Sequence, residues 1–199
     1  MTGEGRRPPG RRSGGRPGAP RVGPLPPEER VGTARALLED SILPGANIFT
    51  TLVRHEGLFR RWLPFGGKLL RGRLPARERE LLILRTAWLC RAEYEWAQHV
   101  VIGARAGLTE VEMRRLRAEP GSPAWADWSE LEALVLSAVD ELHDDWYISD
   151  STWEGLSQRY GVEEMIEVAF VVGHYHMVAG ALNSLGVQLD EGLSGFGDT

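Results

Sequence analysis

Residues 93–99 (EYEWAQH) gather two glutamates, a tyrosine, a tryptophan and a histidine in one short segment. If this segment is helical, Glu95 and His99 are i, i+4 neighbours on one face. A carboxylate beside an imidazole orients the ring and favours its protonated form, so the pair could transfer protons near neutral pH. His99 is therefore the candidate general acid or base, and Glu95 the residue that orients it and tunes its pKa. The alternative is a solvated helix face on which the same pair has no catalytic role.

Three further side chains are candidates for substrate binding around this pair. Tyr94 and Trp96 flank Glu95, and Trp96 could form a wall of the pocket, although tryptophans at helical spacing lie more often in a core. Arg85 is an attractive anchor for an acidic substrate. However, it precedes His99 by 14 residues, which is about 21 Å along a straight helix. It can serve the same site only if the helix breaks or a second subunit supplies the far wall; otherwise it is a structural ion-pair residue.

The remaining histidines do not form a metal-binding pattern in the sequence. His174 and His176 are two positions apart, so on a helix their side chains point about 200° away from each other and cannot chelate one ion together. We predict no metal site and expect one of the two to complete the substrate pocket. His55 and His143 stand alone in polar surroundings and are interpreted as surface or capping residues.

Cys90 is the only cysteine of the chain, which excludes an intrachain disulfide and fits a reducing compartment. It lies nine residues before His99, about half a turn away around an unbroken helix. This angular relation to His99 does not hold if a new helix begins after Cys90. No uninterrupted apolar run reaches the ~18 residues of a membrane span, and the N-terminus lacks the apolar segment of a secretory signal. We therefore predict a cytoplasmic protein with no membrane partner.

Charge divides the chain into a basic start and an acidic body. Residues 1–27 carry six arginines and one glutamate, a net charge of +5, whereas the whole chain has −5, which leaves −10 for the rest. An acidic body argues against nucleic-acid binding by the folded part. The first 27 residues are rich in Gly, Pro and Arg and are predicted to be disordered.

The pattern from residue 28 onward predicts an all-α domain of about seven helices. We place the helical domain at 28–190 and a loose C-terminus at 191–199. No segment alternates with period two between hairpin turns, and no glycine-rich phosphate loop follows a strand. A helix beginning near residue 46 should stop near Pro64, Gly107 and Gly186 should close two helices, and three capping boxes are predicted. The boxes are Thr109 with Glu112, Ser129 with Glu132, and Ser151 with Glu154.

Three motifs in order, RERELLILR, EYEWAQH and GLTEVEM, resemble the core of the carboxymuconolactone decarboxylase family, within the alkylhydroperoxidase D-like (AhpD-like) superfamily. Upstream NIFTTLVRHEGLF and downstream GHYHMVAGALNSLGV are similar to the flanking helices of longer members, so the resemblance covers about residues 40–190. It implies an all-α, AhpD-like helical bundle that assembles by sharing helices, as a dimer, trimer or hexamer. It also implies an active site near a subunit interface.

The family divides by chemistry at the positions before its histidine. The peroxidase branch carries Cys-x-x-Cys followed by three residues and His; aligned on His99, the two thiol positions are Ala92 and Glu95 here. The decarboxylase branch is similar to this chain at Glu95 and His99. The resemblance therefore implies a cofactor-free loss of carbon dioxide from a small oxygenated acid or lactone, with the histidine handling the proton that replaces the carboxylate.

Two other functions remain open from the sequence. The first is an alkylhydroperoxidase-like reduction of peroxide by Cys90, although such chemistry usually needs a second, resolving thiol. The second is a non-catalytic binding or scaffold protein that kept the bundle and lost the reaction. In that version, the basic N-terminal segment would recruit an acidic partner.

Overall fold

In the computed structural model of the protein, which describes residues 17–197, nine α-helices form and no β-strand occurs within that range. This confirms the all-α prediction and adds two helices to the expected number. The helices are α1 (Gly32–Glu39), α2 (Asn47–Leu52), α3 (Glu56–Leu70), α4 (Ala76–Leu89), α5 (Glu93–Arg105), α6 (Glu110–Arg115), α7 (Glu130–Asp144), α8 (Asp150–Ser157) and α9 (Val162–Leu185).

Helix α4 is the centre of the bundle and packs against α5, α7 and α9. Its middle is apolar on every side, since Leu81, Leu82, Ile83 and Leu84 in succession have no exposed surface. The three surrounding helices bury this run completely, and full burial of each leucine contributes about 1.5–3 kcal/mol. The helix is thereby held rigidly, and its polar side chains project from fixed positions.

Helix α9 is apolar on more than one face, as the sequence indicates. By length and composition it could cross a membrane, but half of its most apolar 18-residue stretch is buried inside the protein. It packs against α3, α4, α7 and α8, so its apolar composition is explained by its place in the core. Gly186 ends the helix with a φ of 69°, as predicted.

Two of the three predicted capping boxes are confirmed and are joined by one arginine. Thr109 with Glu112 and Ser129 with Glu132 form complete boxes at the starts of α6 and α7. Arg77, in the first turn of α4, donates to both glutamates and to the Gly107 carbonyl. The N-termini of three helices are therefore tied together at one end of the bundle.

Two predicted helix boundaries are wrong. The third capping box is replaced by Ser149, whose side chain accepts from Thr152 N at the start of α8. Helix α3 does not stop near Pro64 but continues through it to Leu70. Proline in a helix interior removes one backbone donor, and packing of α3 against α1 and α9 compensates for this loss.

The described residues that flank the helical domain, 17–27 and 191–197, contact the helices. Residues 1–16 lie outside the described residues, but Arg21 N donates to Leu185 O at 2.8 Å and Leu25 is buried. At the other end, the Phe196 ring packs on Trp88 at 5.1 Å between centroids and its carbonyl accepts from Arg117. Residues 17–27 and 191–197 thus contact the helices, and the domain boundaries at residues 27 and 191 stay predictions.

Candidate active site

A cavity of about 450 Å³ lies between α3, α5, α9 and the segment around residues 40–49. Its size is in the range of pockets for small organic molecules. Its walls are largely apolar and include Ile48, Phe49, Trp62, Leu63 and Val178. Polar and charged side chains also line the cavity, and those of α5 and α9 carry the chemistry described below.

His99 on α5 reaches the cavity and is held by a glutamate from α4. Its Nδ1 lies 2.7 Å from Oε2 of Glu80, and both side chains are almost completely buried. Because a carboxylate only accepts, the hydrogen bond places a proton on Nδ1. The ring is thereby fixed in orientation, with Nε2 directed away from Glu80.

Glu95 lies on the other side of the His99 ring. Its Oε2 is 3.7 Å from Nε2, which is too long for a direct hydrogen bond. Glu95 and His99 both line the cavity, and Glu95 is itself buried. The imidazole therefore stands between two carboxylates, firmly bonded to Glu80 and loosely facing Glu95.

The electrostatics of this array favour proton storage. Burial opposes charge on His99, but the charge and hydrogen bond of Glu80, assisted by Glu95, raise its pKa above the ordinary value of 6.5. Burial also raises the pKa of Glu95, and the positive charge of His99 only partly offsets this rise. Both groups thus retain protons to higher pH than they would in water, which suits an acid that operates near neutral pH.

Helix α9 supplies the opposite wall through His174 and Tyr175. The His174 ring stacks on Trp62 at 6.1 Å, and its buried Nδ1 has no hydrogen-bond partner among the described residues. Burial lowers the pKa of His174 to about 4. The Tyr175 ring meets His99 edge-on at 5.0 Å. A side chain larger than glycine at position 66 would crowd His174, since a Cβ there would lie 3.2 Å from Nε2.

Tyr94 lines the cavity but its hydroxyl serves the fold. It donates to Asp190 Oδ2 at 2.6 Å and accepts from Ile48 N at 3.1 Å. Asp190 also accepts from Asn47 N at 2.7 Å. This network fastens the end of the helical domain beside the cavity, so Tyr94 shapes the site rather than offering a free hydroxyl to a ligand.

Residues 56–138 match the model of the Carboxymuconolactone decarboxylase family. The match confirms the resemblance drawn from the sequence motifs. No curated protein shows a significant match to the chain.

Two solved structures show the same fold at low sequence identity. One is the alkylhydroperoxidase AhpD core of an uncharacterized peroxidase-related protein from Ralstonia eutropha, with a TM-score of 0.71, 16% identity and coverage of 85% of this chain and 93% of that one. The other is a protein of unknown function from Agrobacterium tumefaciens, proposed to be the antioxidant defence protein AhpD. It has a TM-score of 0.61 and 18% identity, and the match covers 68% of this chain and 92% of that one.

The carboxymuconolactone decarboxylase segment contains the whole carboxylate–imidazole array, Glu80, Glu95 and His99. The wall formed by His174 and Tyr175 comes from α9, beyond the matched residues. The chain has a single cysteine, so it lacks the Cys-x-x-Cys pair of the peroxidase branch. Cys90 itself lies at the C-terminal end of α4, not among the residues that line the cavity.

Three predicted substrate-binding residues lie outside the cavity lining. Arg85 pairs with Asp140 at 2.8 Å and donates to the carbonyls of Leu116 and Ala118. The helix does break between α4 and α5, at residues 90–92, but this does not bring Arg85 to the cavity. Helix α4 directs Arg85 toward α7, where its role is structural. Trp96 is fully buried in the core. His176 projects from the opposite side of α9 and meets His143. These placements correct the sequence-based assignment.

The residue that the sequence analysis missed is Glu80. It lies 19 positions before His99, so no helical spacing connects the two. The available signal was its position in RERELLILR, where a glutamate adjoins a completely apolar run. A carboxylate on such a helix faces the core, where it needs a buried partner. Arg60 and Arg71, which line the cavity, were also missed.

Proposed function

We propose that this protein is a cofactor-independent enzyme that transfers a proton during decarboxylation, or a related lyase or isomerase step, on a small oxygenated organic acid or lactone. The observation that carries the proposal is the buried array in which Glu80 holds His99 beside Glu95 at the cavity. The match of residues 56–138 to the model of the carboxymuconolactone decarboxylase family supports it.

In this mechanism, the bond between the substrate carbon and its carboxylate breaks, carbon dioxide leaves, and the electron pair remains on the carbon. His99 Nε2–H then protonates that carbon, so the products are carbon dioxide and the protonated substrate remainder. The Glu80 carboxylate stabilises the imidazolium before this transfer and keeps the ring oriented. Glu95, with its raised pKa, can return a proton to the ring through water.

The walls of the cavity suit an anionic substrate. The apolar lining would remove hydration from a substrate carboxylate, which favours its loss as carbon dioxide. At the exposed side, Arg60 and Arg71 outnumber the one acid there, Asp40, and can attract the anion. Arginine is well adapted to binding carboxylates through paired hydrogen bonds. We therefore infer that these two arginines, rather than Arg85, select acidic substrates.

The peroxidase alternative has weaker support. Cys90 is the only thiol and lies outside the residues that line the cavity. A peroxide reduced by Cys90 would need an external resolving thiol and a site away from His99. We expect no consumption of an organic hydroperoxide above the rate of the dithiothreitol blank. Thiol-dependent consumption that disappears in Cys90→Ser would reinstate this function.

The test of the proposed function is carbon dioxide release from 4-carboxymuconolactone and a panel of β-keto and lactone acids. Wild type and His99→Gln are assayed side by side, after circular dichroism has shown that both are folded. We expect release by the wild type and a loss of about 10²- to 10⁴-fold in the variant, the usual contribution of general acid–base catalysis.

Equal release by both proteins would contradict the assignment of His99. Binding of panel members without turnover, with an affinity that changes in His99→Gln, would instead favour a non-catalytic binding protein. The panel also includes methyl esters of the same acids as matched controls. These have no carboxylate to lose and should release nothing.

We also propose that the chain forms a homo-oligomer through α9. Val162, Ile166, Phe170 and Met177 are each at least half exposed and lie along one stripe of the helix. Phe65 on α3 contacts Phe170 and extends the stripe. Light scattering after gel filtration should give a mass of two, three or six chains, which Phe170→Glu should lower. A monomeric wild type would contradict this proposal.

A further inference from the structure

A second cluster of reactive side chains lies away from the cavity. Cys90 at the end of α4, His143 in the last turn of α7 and His176 in the middle of α9 each offer a ligand atom. These three atoms all lie within 4.8 Å of one another. The three residues are only half-buried, so an ion from solvent can reach them.

The hydrogen bonds prepare one of these ligands. His176 Nδ1 lies 2.9 Å from the Val172 carbonyl, which can only accept, so this nitrogen carries a proton. The lone pair of a neutral His176 is therefore on Nε2, and Nε2 faces His143 Nδ1 at 2.8 Å. A histidine that donates its second N–H to a backbone carbonyl is the usual arrangement for a metal ligand.

We propose that Cys90, His143 and His176 bind Zn²⁺. One thiolate and two imidazoles are a ligand set that suits zinc, and three protein ligands leave a fourth tetrahedral position for water or another ligand. In such a site the two nitrogens are about 3.4 Å apart, given Zn–N bonds of about 2.0–2.1 Å. The present 2.8 Å separation therefore has to widen by about half an ångström as the ion enters.

The protons balance in this step. The proton between the two rings moves from Nδ1 to Nε2 of His143, so that Nδ1 can bind the ion while the ring stays neutral. The Cys90 thiol loses its proton to solvent and binds as thiolate. One proton is released for each ion bound, provided both histidines start neutral.

The sequence alone could not reveal this site. The divergence of His174 and His176 predicts that they do not chelate one ion together, and the structure places them on different sides of α9. Here His176 is joined by ligands from two other helices, 33 and 86 positions away along the chain. Zinc would connect α4, α7 and α9 on the side of α9 opposite His174 and the cavity. The proposal is therefore independent of the reaction proposed for the cavity.

The first experiment uses the full-length protein without an affinity tag, reduced and freed of metal, and titrated with Co²⁺. Cobalt replaces zinc in such sites and gives a thiolate charge-transfer band in the near ultraviolet. We expect this band to saturate at one ion per chain and to disappear when Zn²⁺ is added. Proton release, measured in weak buffer, is the second readout.

Variants assign the ligands. Cys90→Ser should lose the charge-transfer band, and His176→Gln and His143→Gln should each bind Zn²⁺ roughly 100-fold more weakly, since even outer-shell changes cost about 10- to 100-fold. His55→Asn is the matched control. His55 is an exposed histidine that accepts from Leu58 N at the start of α3, and asparagine can retain that cap. It should bind the metal like the wild type.

No saturable band, or a band that persists in Cys90→Ser, would overturn the proposal. So would Zn²⁺ affinities of the His143 and His176 variants that equal that of His55→Asn. Because each ligand has its own variant, the failure of one to fold leaves two others to decide. Thermal unfolding with Zn²⁺ gives a further check, because a specific site raises the melting temperature of the wild type more than that of Cys90→Ser.

Discussion

The two sides of helix α9 face histidines in opposite chemical settings. On the cavity side, His99 is buried between Glu80 and Glu95, and its partners are carboxylates. On the other side, His176 is half-buried beside His143 and Cys90, where the neighbouring ligand atoms are nitrogen and sulfur. The same residue type is thus fitted for proton transfer on one side and for metal binding on the other.

The difference shows that the partners and burial of a histidine decide its chemistry more than its place in the sequence. Buried carboxylates raise the pKa of His99 and fix its tautomer, so the ring can hold and deliver a proton. Imidazole and thiol neighbours instead offer lone pairs to a soft cation. Two residues apart on α9, His174 and His176 belong to these two different regions.

The largest expected effect tests whether Arg85, which joins α4 to α7, has a structural role. Arg85→Met removes the partner of half-buried Asp140 and leaves two carbonyls without their donor. We expect a loss of about 3 kcal/mol in the free energy of unfolding, at the low end for a broken ion pair in the interior because Asp140 is only half-buried. Urea denaturation measures this loss.

Arg35→Met is the control for that experiment. Arg35 also pairs with a carboxylate, Glu39, but both side chains are well exposed, so its denaturation midpoint should match the wild type. If Arg85→Met is as stable as this control and instead raises KM for acidic substrates, the residue is a substrate anchor after all.

A smaller effect distinguishes the roles of Glu80 and Glu95 beside His99. Glu80→Gln removes the charge that raises the pKa of His99, so it should lower turnover by about 10- to 100-fold, part of the general acid–base contribution. The limb of the pH–rate profile that reports His99 should move to lower pH. Glu80→Asp keeps the negative charge on a shorter side chain, so its turnover should lie between those of the wild type and Glu80→Gln. A profile that moves only in Glu95→Gln would return the orienting role to Glu95.

The pH dependence of stability tests both raised pKa values. Because the folded protein holds protons on His99 and Glu95 that the unfolded chain releases, their contribution is largest at low pH. It is lost as pH rises through the folded pKa values. The stability of the wild type relative to Glu95→Gln/His99→Gln should therefore fall as pH rises above 4.5, the ordinary pKa of Glu95, and fall further above 6.5, the ordinary pKa of His99. The slope is at most about 1.4 kcal/mol per pH unit for each proton. A difference that is constant or grows with pH would show that the values are not raised.

The smallest effect concerns substrate attraction at the cavity edge. Arg60 lines the cavity, whereas its neighbour Arg61 is exposed and lies outside the lining. Arg60→Met should raise KM for an acidic substrate about fivefold, equivalent to roughly 1 kcal/mol for an exposed charge. Arg61→Met should leave KM unchanged. Equal effects of both variants would indicate general charge attraction instead of a binding contact.

The sequence predicted the parts of this architecture that depend on local chemistry. Helix periodicity, two capping boxes and the glycine at 186 follow from short-range spacing, and so does the proximity of Glu95 to His99. The helix through Pro64 could not be predicted in this way, since packing of α3 on its neighbours overrides the local preference of proline.

Contacts between distant elements account for what the sequence analysis missed in both regions. Glu80 reaches His99 only because α4 and α5 pack together, and Arg85 turns toward Asp140 for the same reason. In the sequence, Cys90 indicated only possible thiol chemistry. In the structure, it lies beside two histidines, one from α7 and one from α9. Each of these arrangements depends on a helix–helix contact that no residue spacing encodes.

The central claim is that Glu80 holds His99 in a protonated, oriented state, and nuclear magnetic resonance tests it without knowledge of the substrate. The imidazole nitrogens of His99, assigned by comparison with His99→Gln, are titrated in the wild type and in Glu80→Gln. We predict a wild-type pKa above 6.5 with the proton of the neutral ring on Nδ1, and a lower pKa in Glu80→Gln. A wild-type pKa at or below 6.5, or one that Glu80→Gln does not change, would contradict the account.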